Sequence, residues 1–127
     1  MHPTRPQSAE QRLPPLKPTE LLILMMLTAG DRHGYGIRQD ILEHTGGTVA
    51  LEAGNLYRHI RRLEDDGVLE ESGRRRTAAA SGAGDDERRR YYRLTPVGRR
   101  VLAAELRRLR ALERLGEERR IIAPEPA

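Results

Sequence analysis

The chain has 127 residues, and one domain of this size must build its core from Leu, Ile, Val and Ala, since only 3% of the residues are aromatic and none is Phe or Trp. The absence of cysteine excludes disulfides and thiolate chemistry, and with no signal peptide or apolar run of membrane-spanning length we expect a soluble cytoplasmic protein. The net charge is only +4, but the arginines are clustered, which indicates a polyanionic partner.

The first part of the chain joins a Pro-rich segment to a strongly apolar helix. Residues 1–17 are polar and have no periodicity, so we predict a flexible N-terminal arm. Pro18-Thr19-Glu20 indicates a helix start in which Thr19 is the capping residue, and the helix should end near Thr28. Leu21 to Leu27 is apolar on every side, which predicts burial against the core, against a second subunit, or against both.

A second helix follows a turn over Ala29 to Arg32. His33-Gly34-Tyr35-Gly36-Ile37 opens this helix, and Gly46-Gly47 ends it, because glycine readily takes the left-handed conformation that closes a helix. Thr48 to Leu51 is rich in β-prone residues and is predicted to form a short strand before the third helix.

Residues 55–69 are the most informative part of the sequence, because they place an apolar face and an arginine face on one predicted helix. The apolar face has the spacing i, i+4, i+7 and consists of Leu56, Ile60 and Leu63. The opposite face carries Arg58, Arg61 and Arg62, with Asn55 at its edge. Gly67 then ends the helix. Such a helix suits the DNA major groove, where guanidinium groups bind guanine, although a merely solvated basic face is the alternative.

Two predicted β arms and a long loop come next. The arms cover Val68–Gly73 and Arg89–Leu94, and the loop covers about residues 74–88. Six arginines stand at the ends of the loop: Arg74, Arg75, Arg76, Arg88, Arg89 and Arg90. A loop with basic ends suits phosphate or minor-groove contact, whereas pairing of these arginines with the acidic residues 85–87 would leave only a solubilising loop.

The last predicted helix begins at Thr95-Pro96, where Thr is a good N-cap and Pro a good first helical residue. It should run to about Arg120 with an apolar stripe made of Val101, Leu102, Leu106, Leu109, Leu112 and Leu115. So small a domain cannot bury this stripe, and a helix from a second copy is its natural partner. We therefore assign residues 95–121 to a dimerisation helix and 122–127 to a tail.

The predicted order is helix, helix, short strand, helix, strand, loop, strand, helix. This order is typical of a winged helix, that is, a helix-turn-helix followed by a β-hairpin. We expect a mainly α protein with a small β-hairpin, in which residues 18–94 form a winged-helix DNA-binding domain and the C-terminal helix mediates dimerisation.

The motifs resemble those of the PadR-like transcriptional regulators, in family order and over roughly residues 16–115. The matching segments are Leu21–Leu27, His33–Ile37, Leu56-Tyr57, Arg62–Leu69 and Arg90–Pro96 followed by Gly98. The single C-terminal helix resembles the compact subgroup of that family. Three departures concern operator choice: Glu52-Ala53 replaces a common Ser-Pro, Arg58 replaces a common Pro, and the wing is longer than usual.

The resemblance implies a homodimeric repressor that binds a pseudo-palindromic operator in double-stranded DNA. It implies that Tyr57 touches DNA near the start of the third helix, and we assign Tyr35 to the same surface. Dimer contacts are expected from the first and last helices: Leu21, Leu24, Met25, Leu102, Leu106, Leu109 and Leu112. Because the chain has no Trp, we do not transfer the drug pocket of some relatives, and the sequence identifies no effector and no cofactor.

Other functions find less support. An enzyme is not expected, because no nucleophile–base pair, phosphate-binding glycine loop or carboxylate pair has usable spacing. Asp40 and His44 share a helix face and are the weak basis for a metal sensor. The serious alternative to a repressor of its own or a neighbouring gene is a winged-helix module that acts through a protein partner.

Overall fold

The structure is a computed structural model that describes residues 15–72 and 90–126. Its helices are α1 (Pro18–Met26), α2 (Gly34–His44), α3 (Ala53–Asp65) and α4 (Pro96–Glu118), and a 3-10 turn covers Leu27–Ala29. Its strands are β1 (Arg32–His33), β2 (Leu69–Glu71) and β3 (Tyr91–Leu94). Mainly helical composition with a small antiparallel sheet confirms the predicted winged helix. Most of the predicted arm, the wing loop, and Arg74, Arg75, Arg76, Arg88 and Arg89 lie outside the described residues.

The N-cap of helix α1 lies two residues before the predicted cap. Pro18 is the first helical residue and Lys17 is the N-cap, so the assignment of Thr19 as the cap is wrong. The physical reason is that proline has no N–H to satisfy and a φ already suited to the first helical position. The carboxylate of Glu20 instead stabilises the start of the helix by accepting the backbone N–H of Lys17 at 3.3 Å.

The sheet contains one strand, β1, that was not predicted from the sequence. It pairs antiparallel with β3, so the strand order is β1-β3-β2. The prediction of a strand over Thr48–Leu51 is wrong, since this segment forms no strand in the structure. Backbone groups of this segment bond to side chains and not to a neighbouring strand: Val49 N–H donates to Thr45 Oγ1 at 3.1 Å, and Leu51 C=O accepts from Arg38 Nε at 2.8 Å.

One aliphatic core joins all four helices to the sheet. Its members are Ile23, Leu24, Leu27, Ile37, Ile41, Leu56, Ile60, Leu63, Val68, Leu69, Tyr92, Leu94, Val101 and Leu102. Leu24 and Leu102, which we expected at a dimer interface, are 0% and 5% exposed in a single chain, so their side chains pack inside the subunit. Gly98 lets α4 approach the hairpin, because a Cβ there would overlap the carbonyl oxygen of Val68.

Helix α4 starts as predicted and then leaves the domain. Thr95 Oγ1 accepts the backbone N–H of Gly98 at 2.9 Å, which is the expected N-cap bond. Burial on this helix ends at Glu105, and the remaining turns to Glu118 extend about 20 Å at 1.5 Å per residue. The described residues include no helix with the length and hydrophobicity of a membrane span.

Candidate nucleic-acid interface

Helix α3, the reading helix, is fixed in the fold by its apolar face. Leu56, Ile60 and Leu63 are at most 1% exposed, so this face is wholly inside the core. The helix ends at Asp65, and Gly67 stops it as predicted, because its φ of 77° allows Val68 N–H to reach the carbonyl of Leu63 at 3.1 Å. The opposite face is therefore presented to solvent along the length of the helix.

Tyr57 joins the reading helix to the helix before it. Its side chain is half-buried, and its hydroxyl lies against Gly34, where a Cβ would overlap the phenol. The glycine is therefore required for the close contact between the start of α2 and α3. Tyr57 packs between the helices with its hydroxyl directed at this backbone.

The three arginines of the predicted face point to three different surroundings. At 100° per residue, Arg58 lies opposite the core, Arg61 lies toward the hairpin and Arg62 lies toward α1. All three are exposed, but Nε of Arg62 is 4.0 Å from the carboxylate of Glu20 on α1. Arg58 makes no ion pair with any residue in 15–72 or 90–126. The arrangement leaves Arg58 and Arg61 as the available cations, with Asn55 exposed beside them.

A shallow pocket of about 120 Å³ separates the reading helix from the hairpin. It is lined by Tyr57, Ile60, Arg61, Glu64, Arg90 and Tyr92. Arg61 and Arg90 thus reach one depression from two elements. Burial, followed by the nearby charge of Glu71, raises the pKa of Glu64. Burial also raises the pKa of Tyr92 to about 12, so this hydroxyl stays protonated at neutral pH.

Ion pairs stiffen the described part of the hairpin. Arg93 Nε donates to Glu70 Oε2 at 2.8 Å across the strands, at a directly opposed pair in the register. Arg90 Nε lies 3.8 Å from Glu71 Oε1, at the point where the described chain resumes after the wing loop. Both pairs are substantially exposed, so each contributes little to stability.

Tyr35 lies at the start of α2 in a small aromatic group. Its side chain is 57% exposed, and its ring stacks on His33 with centroids 6.3 Å apart. His33 meets Tyr91 edge to face at 5.2 Å and also caps α2, since its Nδ1 accepts the N–H of Gly36 at 3.0 Å. This capping role of His33 was not predicted from the sequence. Tyr35 is thus held near the entry of β3, on the hairpin side of the molecule.

The geometry gives no support to the metal-sensor alternative. The carboxylate of Asp40 binds Arg32 Nε at 3.2 Å, and Nδ1 of His44 is 2.8 Å from the backbone carbonyl of Asp40. These two side chains are therefore engaged in local contacts. Within the described ranges, no three potential ligands are close enough together to hold an ion.

Comparison with known proteins places the chain among regulators. The sequence pattern of the transcriptional regulator PadR-like family matches residues 23–104. A transcriptional regulator from Clostridium thermocellum is 25% identical, with a TM-score of 0.62 over 79% of this chain and 87% of that one. A PadR family regulator from Eggerthella lenta is 27% identical, with a TM-score of 0.58 over 83% and 82%. No curated protein matches the chain.

One similar structure contains nucleic acid. Bacillus subtilis PadR in complex with operator DNA is 23% identical, with a TM-score of 0.59 over 72% of this chain and 48% of that one. This chain therefore spans about half the length of the B. subtilis protein. At this identity the similarity establishes the shared fold alone.

Proposed function

The chain belongs to the PadR-like family, whose members regulate transcription and are not enzymes, and on that premise we propose that it is a homodimeric repressor that binds a pseudo-palindromic operator near its own or a neighbouring gene. The observation that carries the proposal is the outer face of α3, where Arg58 and Arg61 are exposed beside Asn55. A helix fits the major groove, and arginine forms bidentate hydrogen bonds with guanine. We also propose that the protein is cytoplasmic, as expected from the sequence.

Polar side chains on the hairpin side of the reading helix support a fixed approach to DNA. Arg61 and Arg90 share the pocket between α3 and the hairpin, and Tyr35 is exposed near the start of β3. We assign Arg90 and Tyr35 to phosphate contacts, which set the register of a protein on the duplex. The arginines of residues 74–76 and 88–89 are assigned to the same role from sequence, as parts of the wing. That a protein of this fold was solved with operator DNA agrees with the proposal.

A second copy of the chain supplies the proposed dimer partner. Beyond Glu105, α4 carries Leu106 and Leu112 with 40% and 56% of their surface exposed, and Leu109 lies between them. Leu21 and Met25 of α1 are only partly buried and complete the proposed surface. Two copies related by a two-fold axis place two reading helices on one side of the DNA, about 34 Å or one helical turn apart.

Fluorescence anisotropy with a labelled duplex from upstream of the gene tests this proposal. We expect tight binding to that duplex and weak binding to a scrambled duplex of the same composition. Affinity should fall with salt at a slope near −0.9 per phosphate neutralised. If every fragment in a library of upstream sequences bound no more tightly than its scrambled control, the proposed specificity would be contradicted. That result would favour the protein-interaction alternative.

A further inference from the structure

Glu20 is a buried carboxylate that the proposed DNA contacts do not use. Its side chain is only 4% exposed, although it lies in the first turn of α1. One oxygen, Oε1, accepts the backbone N–H of Lys17. A buried carboxylate is unfavourable unless its oxygens are paired, so the partners of the second oxygen indicate what the residue holds in place.

Both partners of the second oxygen belong to the reading helix. Nδ1 of His59 lies 3.0 Å from Glu20 Oε2, and since a carboxylate oxygen only accepts, the imidazole is the donor. Nε of Arg62 lies 4.0 Å from the same oxygen. His59 and Arg62 are three residues apart and therefore share one flank of α3, the flank that faces α1.

We propose that Glu20 is a positioning residue for DNA reading, because its carboxylate sets the rotation of the reading helix through His59 and holds Arg62 toward α1. This inference rests on the proposed function and adds a specificity determinant that does not itself touch DNA. It also separates Arg62 from Arg58 and Arg61, with which the sequence had grouped it.

The rotation of α3 matters because base recognition tolerates little error. Productive site geometry requires about 0.5 Å or 10–20° in the placement of a side chain. The buried apolar face fixes α3 in the core, and the hydrogen bond from His59 to the carboxylate of Glu20 adds a directional restraint on the rotation of the helix. The hydrogen bond that His59 donates to Glu20 therefore limits how far Arg58 and Arg61 can turn from the bases.

The restraint on Arg62 has a separate consequence. A free arginine beside the groove would bind phosphates, and phosphate contacts carry no sequence information. With its Nε 4.0 Å from the carboxylate of Glu20, Arg62 is drawn toward α1, and we infer that it contributes less to binding at random sites. Loss of the carboxylate should therefore weaken operator binding while non-specific binding stays the same or becomes tighter. The informative quantity is the ratio of operator affinity to scrambled-duplex affinity.

The test compares Glu20→Gln with Glu105→Gln in the chain of 127 residues. Glu105 is also buried, and it pairs with Arg108 at 2.6 Å on α4, so the control removes a similar carboxylate away from α3. We expect Glu20→Gln to lower the affinity ratio about tenfold, within the effect of one mismatched base pair. Glu105→Gln should lower thermal stability and, at concentrations where sedimentation shows this variant to be a dimer, leave the ratio unchanged. An equal fall of the ratio in both variants would overturn the proposal.

His59→Ala removes the same hydrogen bond by changing the other partner, whose side chain is 22% exposed. This variant keeps the proposal testable if Glu20→Gln fails to fold. It should lower the ratio by a similar factor, and the double variant should lose no more than the larger single effect, because the two changes remove one interaction. An unchanged ratio in folded single variants, with wild type still selective, overturns the positioning role alone. A wild type without selectivity overturns the proposed function and this inference together.

Discussion

Replacement of Arg58 by alanine should separate base reading from general charge. Arg58 is exposed, lies opposite the buried face of α3 and makes no ion pair within the described residues. Its removal should therefore change the free energy of unfolding by no more than about 0.5 kcal/mol. If its guanidinium binds a guanine bidentately, operator affinity should fall by about 1–3 kcal/mol, or roughly 5- to 150-fold.

The salt dependence of binding identifies the kind of contact that is lost. A base contact releases no phosphate counterion, so the salt slope of Arg58→Ala should equal that of wild type. Arg58→Lys should bind the operator nearly as weakly as Arg58→Ala, because lysine keeps the charge but lacks the paired donors of the guanidinium. Arg110→Ala, which removes the same charge from the exposed surface of α4, is the matched control and should bind like wild type.

Anisotropy titrations on operator and scrambled duplexes at two salt concentrations give all of these quantities. Full operator affinity in Arg58→Ala would refute the assignment of this side chain to the bases. A salt slope reduced by about one unit, with equal losses on both duplexes, would reassign it to a phosphate.

Three further predictions concern the fold and the assembly. Gly98→Ala should lower the free energy of unfolding by about 1–3 kcal/mol in denaturant, because the new Cβ meets a backbone carbonyl. The control Gly54→Ala has open space around the new Cβ and should not destabilise the protein. Equal stabilities of the two variants would contradict the packing of α4 on the hairpin. Leu106→Glu with Leu109→Glu should convert a sedimenting dimer into a monomer, and an unchanged dimer would remove α4 from the interface. Because burial raises the pKa of Tyr92 from 10.0 to about 12, the folded state holds this proton more tightly, and the associated stability is present below pH 10 and lost as the pH rises through about 12. In an alkaline absorbance titration one of the four tyrosines should ionise near pH 12, and persistence of that phase in Tyr92→Phe would assign it elsewhere.

Sequence periodicity was sufficient for the elements that bury a regular face. The spacing of Leu56, Ile60 and Leu63 located the core side of α3, and Thr95-Pro96 located the start of α4. Strand β1 was missed because two residues have no measurable alternation and form a strand only through β3. The β-prone Thr48–Leu51 shows the converse, since composition without a neighbouring strand does not make a sheet.

The candidate site was only partly predictable for a similar reason. Helical spacing placed Arg58, Arg61 and Arg62 on one side of α3, and it could not separate their surroundings. The partner of Arg62 is Glu20, which also meets His59 across 39 positions of sequence. Such a contact arises from the packing of α1 on α3 and leaves no local pattern. The predicted roles of the wing arginines remain predictions, as do the domain boundaries.

Hydroxyl-radical footprinting of the operator by the whole chain decides whether a symmetric dimer reads DNA through α3. We expect two protected regions related by two-fold symmetry, with centres one helical turn, or about 10 base pairs, apart. Protection should be lost in Arg58→Ala at concentrations where Arg110→Ala still protects. A single asymmetric region, or protection that does not depend on Arg58, would contradict a homodimer that reads DNA through α3.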